Sequence, residues 1–161
     1  MSRSGYCEDF GAESREEQWA QIRWSGAEKS AMRGKKGQAF FKELLAALDA
    51  MPEKKLIAKD LVANHFIQQP DGILVKSEVC LIGAVIQARG IDSTRLDVED
   101  YEGIAAALGI NSKIVQRCEW ENDQCYTGEH LKDGATGDPE EKRWQRMRAW
   151  VESQIKVAPG A

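Results

Sequence analysis

The sequence predicts an α+β protein, about five helices packed on a small antiparallel β-hairpin or meander, and two observations carry that expectation. Apolar residues recur at helical spacing near both ends of the chain. Between residues 55 and 80 the period shortens to that of strands, around the turn signal Pro70-Asp71-Gly72.

The elements follow in order. Residues 1–14 are rich in glycine, serine and acids and are expected to form a flexible N-terminus, with a single globular domain over 15–157. A helix begins at Arg15, with Trp19, Ile22, Ala27 and Ala31 near one face, and Gly34-Lys35-Lys36-Gly37 reads as the turn that ends it. Phe40, Phe41, Leu44, Leu45 and Leu48 form the broad stripe of a core helix that Pro52 stops. Leu56-Ile57, Leu61-Val62, Phe66-Ile67, Ile73-Leu74-Val75 and Val79-Cys80-Leu81 are strand-like pieces. The run from Leu81 to Ala88 fits a buried strand or a short helix, and its small residues Gly83 and Ala84 favour a helix packed closely on the sheet. A helix over 97–108 starts acidic and stops at Gly109, and Asn111 or Ser112 caps the next, which runs to about Asn122. Residues 126–138 read as loop. The last helix has Asp138 as N-cap, Pro139 at its first position and Glu141 at its third, with Trp144, Met147, Val151 and Ile155 inward.

The 161 residues carry a net charge of −4, which does not suit a general nucleic-acid binder. No apolar run approaches the roughly 18 residues that cross a bilayer, and no apolar leader follows Met1, so no membrane role and a cytoplasmic location are expected. In that compartment Cys7, Cys80, Cys118 and Cys125 are expected to be free thiols.

Charge is unevenly distributed. Residues 23–42 hold six cations, Arg23, Lys29, Arg33, Lys35, Lys36 and Lys42, against Glu28 alone. Such a stretch can be a solvated helix face, a nucleic-acid patch, or a surface that steers an acidic protein partner. It lacks the spacing of a phosphate-binding P-loop. Residues 92–123 are its mirror image, with eight acids against Arg95, Lys113 and Arg117.

Two sets of residues could carry chemistry. Cys118, Cys125 and His130 lack the close pairs that aim two ligands at one zinc ion, so no metal and no cofactor is expected. Cys80 could be a nucleophile, with His65 or His130 as base and Asn122 or Asp123 as orienting group, but its apolar neighbours suit an inert buried thiol, and no catalytic residue is assigned. Of five tryptophans, Trp19, Trp120 and Trp144 fit core positions, while Trp24 and Trp150 lie off the main stripes and could anchor a partner.

The stretches Ile22 to Ala58 and Glu141 to Ile155, with the pattern R-W-x-G-A … R-G-K-x-G-Q-A-F … C-x-x-G-A … N-D, resemble small phage- and prophage-associated bacterial proteins. In this chain the segment from Asn64 to Ser77 looks longer than in those proteins. The resemblance assigns no activity to Cys80 or Asp123. It implies an accessory protein that binds a host protein or complex, including inhibitors of host defence. The expectation is therefore a non-enzymatic protein-binding role through Arg23, Trp24, Lys29, Arg33, Lys35 and Lys36. The alternatives are nucleic-acid binding by the 23–42 stretch and a thiol-dependent hydrolase built on Cys80. A homo-oligomer is compatible with each.

Overall fold

A computed structural model of the chain describes residues 15–123 and 139–156. The elements run α1 (Arg15–Arg33), α2 (Lys35–Ala50), β1 (Val62–Gln69), β2 (Gly72–Val79), α3 (Leu81–Ala88), a 3-10 turn (Ser93–Arg95), α4 (Tyr101–Leu108), α5 (Ser112–Asp123) and α6 (Glu140–Gln154). This is the α+β arrangement that the sequence predicts, with six α-helices among the described residues rather than about five. No helix among them is long and apolar enough to cross a membrane.

The run from Leu81 to Ala88 is the helix that its small residues favour, α3, and it is buried along most of its length. Leu81 to Ile86 are all buried, because a helix that is apolar on every side is stable only when surrounded. Helix α2, with Phe40, Phe41, Leu44 and Leu48 buried, packs against both α3 and α6, and Met147 and Val151 are buried on α6. Helices α4 and α5 complete the core with Ile104, Leu108, Ile114, Val115 and Cys118.

Only Gly34 of the expected Gly34–Gly37 turn stands outside a helix. It is the N-cap of α2, and Lys35, Lys36 and Gly37 form the first turn. Gly37 lies in α2 where the end of α1 passes close to its backbone. A Cβ on it would sit 2.2 Å from the Ala31 carbonyl oxygen, so this close approach admits no side chain.

The expected inward face of α1 is also shifted. Trp19 and Ile22 are exposed, whereas Glu28 and Met32 are the buried positions. The predicted helix at 97–108 begins later, at Tyr101. Asp100 caps it by accepting the Gly103 amide at 2.9 Å. Gly109 ends it at φ 69, as its position predicts. Asn111 accepts the Lys113 amide at 2.9 Å and opens α5. Pro139, not Asp138, is the N-cap of α6, and Asp138 lies outside the described residues.

Among the described residues the sheet is a two-stranded hairpin. Leu56 and Ile57 are not strands. Their amides donate to the carbonyls of Glu140 (3.1 Å) and Val79 (2.9 Å), tying an extended link between α6 and the base of β2. Strands β1 and β2 pair antiparallel from Val62↔Val79 to Gln69↔Gly72. Proline fixes φ near about −65°, which bars Pro70 from the positive-φ turns that usually close two-residue hairpins. Gly72, at φ 147, supplies the positive φ instead.

Candidate interaction surfaces

The C-x-x-G-A and N-D motifs belong to one buried joint. Cys80 caps α3, its sulfur accepting the Gly83 amide at 3.3 Å. Gly83 lies so close to the hairpin base that a Cβ there would stand 1.9 Å from the Leu61 carbonyl oxygen. Asn122 Oδ1 accepts the Leu81 amide (3.2 Å), and its Nδ2 donates to the Ile57 carbonyl (3.0 Å) and to Asp123 Oδ1 (2.8 Å). Asp123 Oδ1 in turn accepts the Lys59 amide (3.2 Å). From α6, Arg143 donates to the carbonyls of Asn122 (3.1 Å) and Leu56 (2.9 Å), and Arg146 to that of Glu121 (2.6 Å). Two guanidinium groups thus satisfy the carbonyl end of α5, where cations are favoured.

This geometry gives no support to a nucleophilic Cys80. Burial pushes its thiol up to about 12, against the small opposing effect of the Gly83 and Ile82 amides. His65 stands on the exposed hairpin, 2.8 Å from Glu78. Cys118 is wholly buried in the core, as its helical position predicts, and burial raises its thiol too. His130 and Cys125 lie outside the described residues. Among the described residues no group of three or more His, Cys, Asp or Glu is placed to hold a metal ion.

The basic side chains expected to meet a partner are all exposed: Arg23, Lys29 and Arg33 on α1, Lys35 and Lys36 at the start of α2. Trp24 does not join them. At 100° per residue it lies about 140° around the α1 axis from Lys29, and it faces α5. There it lines a groove of about 460 Å³ with Glu28, Tyr101, Gln116, Arg117, Glu119, Trp120 and Asp123. The charge asymmetry of the sequence is inverted inside this contact. Glu28, the one acid of the basic stretch, meets Arg117, one of three bases in the acidic stretch, at 3.5 Å. Arg117 also pairs with Glu121 at 2.5 Å and lies over the Trp120 ring, 5.2 Å from its centroid. Burial raises the Glu119 carboxyl above its usual range, although its contact with the Tyr101 hydroxyl acts the other way.

Trp120 is therefore exposed at 47 %, not a core residue. Trp150 is half-buried, edge-on to Phe41 with centroids 5.8 Å apart. Trp144 is half-buried under the Lys54 ammonium at 5.2 Å.

The surface that the sequence did not single out is the outer hairpin. Cross-strand partners share a face, so Phe66, Val75 and Ile73 lie on one side and Ile67 and Leu74 on the other. All five are exposed, Phe66 at 72 % and Ile73 at 63 %. No backbone group of residues 63–78 pairs outside the hairpin among the described residues. The readable signal was Ile73-Leu74-Val75. Three consecutive apolar residues in a strand must populate both faces, and a lone hairpin has no layer to cover either.

The fold and these surfaces define an α+β domain with a projecting apolar hairpin and an aromatic, acid-lined groove. No family model matches the chain, and neither a curated protein nor a solved structure matches it.

Proposed function

We propose that the protein is a non-enzymatic protein-binding module that docks on a partner protein through its β1–β2 hairpin. The observation that carries this reading is the cluster of Phe66, Ile67, Ile73, Leu74 and Val75 exposed on both faces of a two-stranded sheet that no further strand pairs with among the described residues. Apolar side chains displayed together in water mark an interaction surface, and an unpaired strand edge offers main-chain hydrogen bonds to an added strand. The narrower form of the proposal, expected from the sequence pattern alone, is an accessory protein that acts on a host protein or complex.

The test is affinity capture with the whole chain and with a Phe66→Lys, Val75→Glu variant. The two positions are cross-strand partners, so the new ion pair keeps the hairpin register while removing apolar surface. A partner retained by the original chain and lost by the folded variant supports the reading. Capture indifferent to the variant overturns it. Concentration-dependent self-association that the variant abolishes assigns the hairpin to a homo-oligomer instead.

A second reading, nucleic-acid binding, is favoured by the exposure of Arg23, Lys29, Arg33, Lys35 and Lys36, whose side chains form no ion pair among the described residues. It requires an affinity that falls steeply with salt, and absence of a gel shift at low salt removes it.

A further inference from the structure

We propose that a groove along the outer edge of β2 receives an extended segment of the partner protein, about five residues long, as a third strand of the sheet. This deepens the protein-binding reading and rests on it, naming the edge that pairs and the form of the partner.

The main-chain pattern of the hairpin decides which groups are free. The Cys80 amide donates to the Leu61 carbonyl at 3.1 Å, just below the Val62↔Val79 pair. Bonded and unbonded pairs alternate in an antiparallel ladder, so Val79, Ser77, Val75 and Ile73 turn their amides and carbonyls away from β1. The Val79 carbonyl is taken, since it accepts the Ile57 amide at 2.9 Å. A third strand is thus begun and goes no further. Among the described residues the outward groups of Ser77, Val75 and Ile73 have no backbone partner.

The link between α2 and β1 cannot extend that pairing itself. Leu56 is fully buried, and its amide is taken by the Glu140 carbonyl. Lys54 is drawn back to the carbonyls of Leu48 and Asp49, and Pro52 has no N–H to offer. The strand and the link therefore part, leaving a groove of about 470 Å³ between them. Six consecutive residues, Leu74 to Val79, form one side, and Met51, Pro52, Glu53, Lys55 and Ile57 the other. Successive strand residues point to opposite faces, so a wall made of all six runs along the edge. No residue of β1 contributes to it.

An extended chain matches this place in length and chemistry. From Ser77 to Ile73 the open edge covers about 14 Å, the span of about five strand residues. Met51, Pro52, Ile57, Leu74 and Val75 give the groove apolar sides for alternate side chains of the segment. Lys76 meets Glu53 across it at 3.3 Å, but both are solvent-accessible, and such a pair parts easily. A second copy's hairpin suits it less, because either of its strands arrives with the other alongside, where the link already stands.

The experiment selects a ribosome-displayed library of random heptapeptides on the immobilised full-length chain, then titrates the enriched peptides into nitrogen-labelled protein. The Ile73, Val75 and Ser77 amide resonances should move saturably. Val75→Pro removes an outward N–H while sparing the hairpin's own bonds, and should weaken binding by about tenfold. Gln68→Pro removes the outward amide at the β1 edge and should leave binding unchanged. N-methylation of alternate amides in an enriched peptide gives a readout that needs no protein variant. One set of positions should abolish binding and the other should not. No enrichment, equal binding to Val75→Pro, or equal effects of the two methylated sets overturns the proposal. Self-association of the bare chain that Val75→Pro abolishes assigns the groove to a second copy and overturns it too. A partner lost by the Phe66→Lys, Val75→Glu variant but kept by Val75→Pro faults the edge alone. Peptide binding at β2 without any captured partner faults the docking reading and leaves the strand site standing.

Discussion

The Leu81 amide donates to Asn122 Oδ1 across 3.2 Å, so the first turn of the central helix is held by a side chain from the last turn of α5. The same amide side chain also holds the Ile57 carbonyl, which leads to the hairpin base. One buried residue, 1 % exposed, therefore joins three segments far apart in sequence.

Removing that side chain leaves a buried donor and a buried acceptor unpaired. Asn122→Ala should lower unfolding free energy by about 3 kcal/mol, measured by urea denaturation. Asn122→Asp retains the acceptor for Leu81 but places a carboxylate beside Asp123, and it should be destabilising as well. A loss indistinguishable from that of an exposed-site variant would contradict the joint.

Gly83→Ala should cost about 3 kcal/mol or more, because the new Cβ meets the backbone carbonyl of Leu61 rather than a movable side chain. Gly26→Ala is the control. Nothing lies within 4 Å of its Cβ position, and it should stabilise α1 slightly. The two thermal melts should move in opposite directions.

Cys80 and Cys118 should resist iodoacetamide in the native state. Both are buried, and burial holds their thiols in the neutral form well above neutral pH. Labelling followed by mass spectrometry should detect these two sites only after denaturation. Rapid native labelling of Cys80 would restore the thiol-enzyme reading.

Arg89 grips Glu43 through two hydrogen bonds of 2.6 and 2.7 Å, and this contact lowers the carboxyl below its ordinary 4.5. The folded state therefore favours the ionised form. Its stabilising contribution is present above pH 4.5 and is lost as pH falls through the lowered folded value. Both side chains are partly exposed, so the effect is below about 1 kcal/mol. Glu43→Gln should lower the melting temperature at neutral pH, and the gap to the original chain should close in acid.

The helices were legible because their signals are local. The stripe from Phe40 to Leu48, the stop at Gly109 and the cap at Asn111 each need only a few neighbouring residues. What the sequence hid is relational. Trp19 and Trp24 lie on the same helix in similar company, and only the position of α5 makes one a groove wall and leaves the other outside. Likewise Cys80, Gly83 and Asn122 form a visible pattern, but their common purpose appears only when Leu61 and Ile57 arrive from another part of the chain. Apolar strand residues ordinarily imply burial, so the exposure of the hairpin shows only in the fold, where no third strand pairs with it among the described residues.

Among the described residues the hairpin joins the apolar core at its base, through Val62 and Val79. The side-chain hydrogen bond between Asn64 and Ser77 closes this base at 2.6 Å, and beyond it the hairpin meets the helical body through the Lys76–Glu53 ion pair at 3.3 Å and a groove that Leu74 and Val75 line with Met51 and Pro52. Under the proposed docking role, stability falls mainly on the helical body and recognition on the distal strands, so the apolar residues from Phe66 to Val75 are the length of chain to exchange when specificity is to be altered and the body kept.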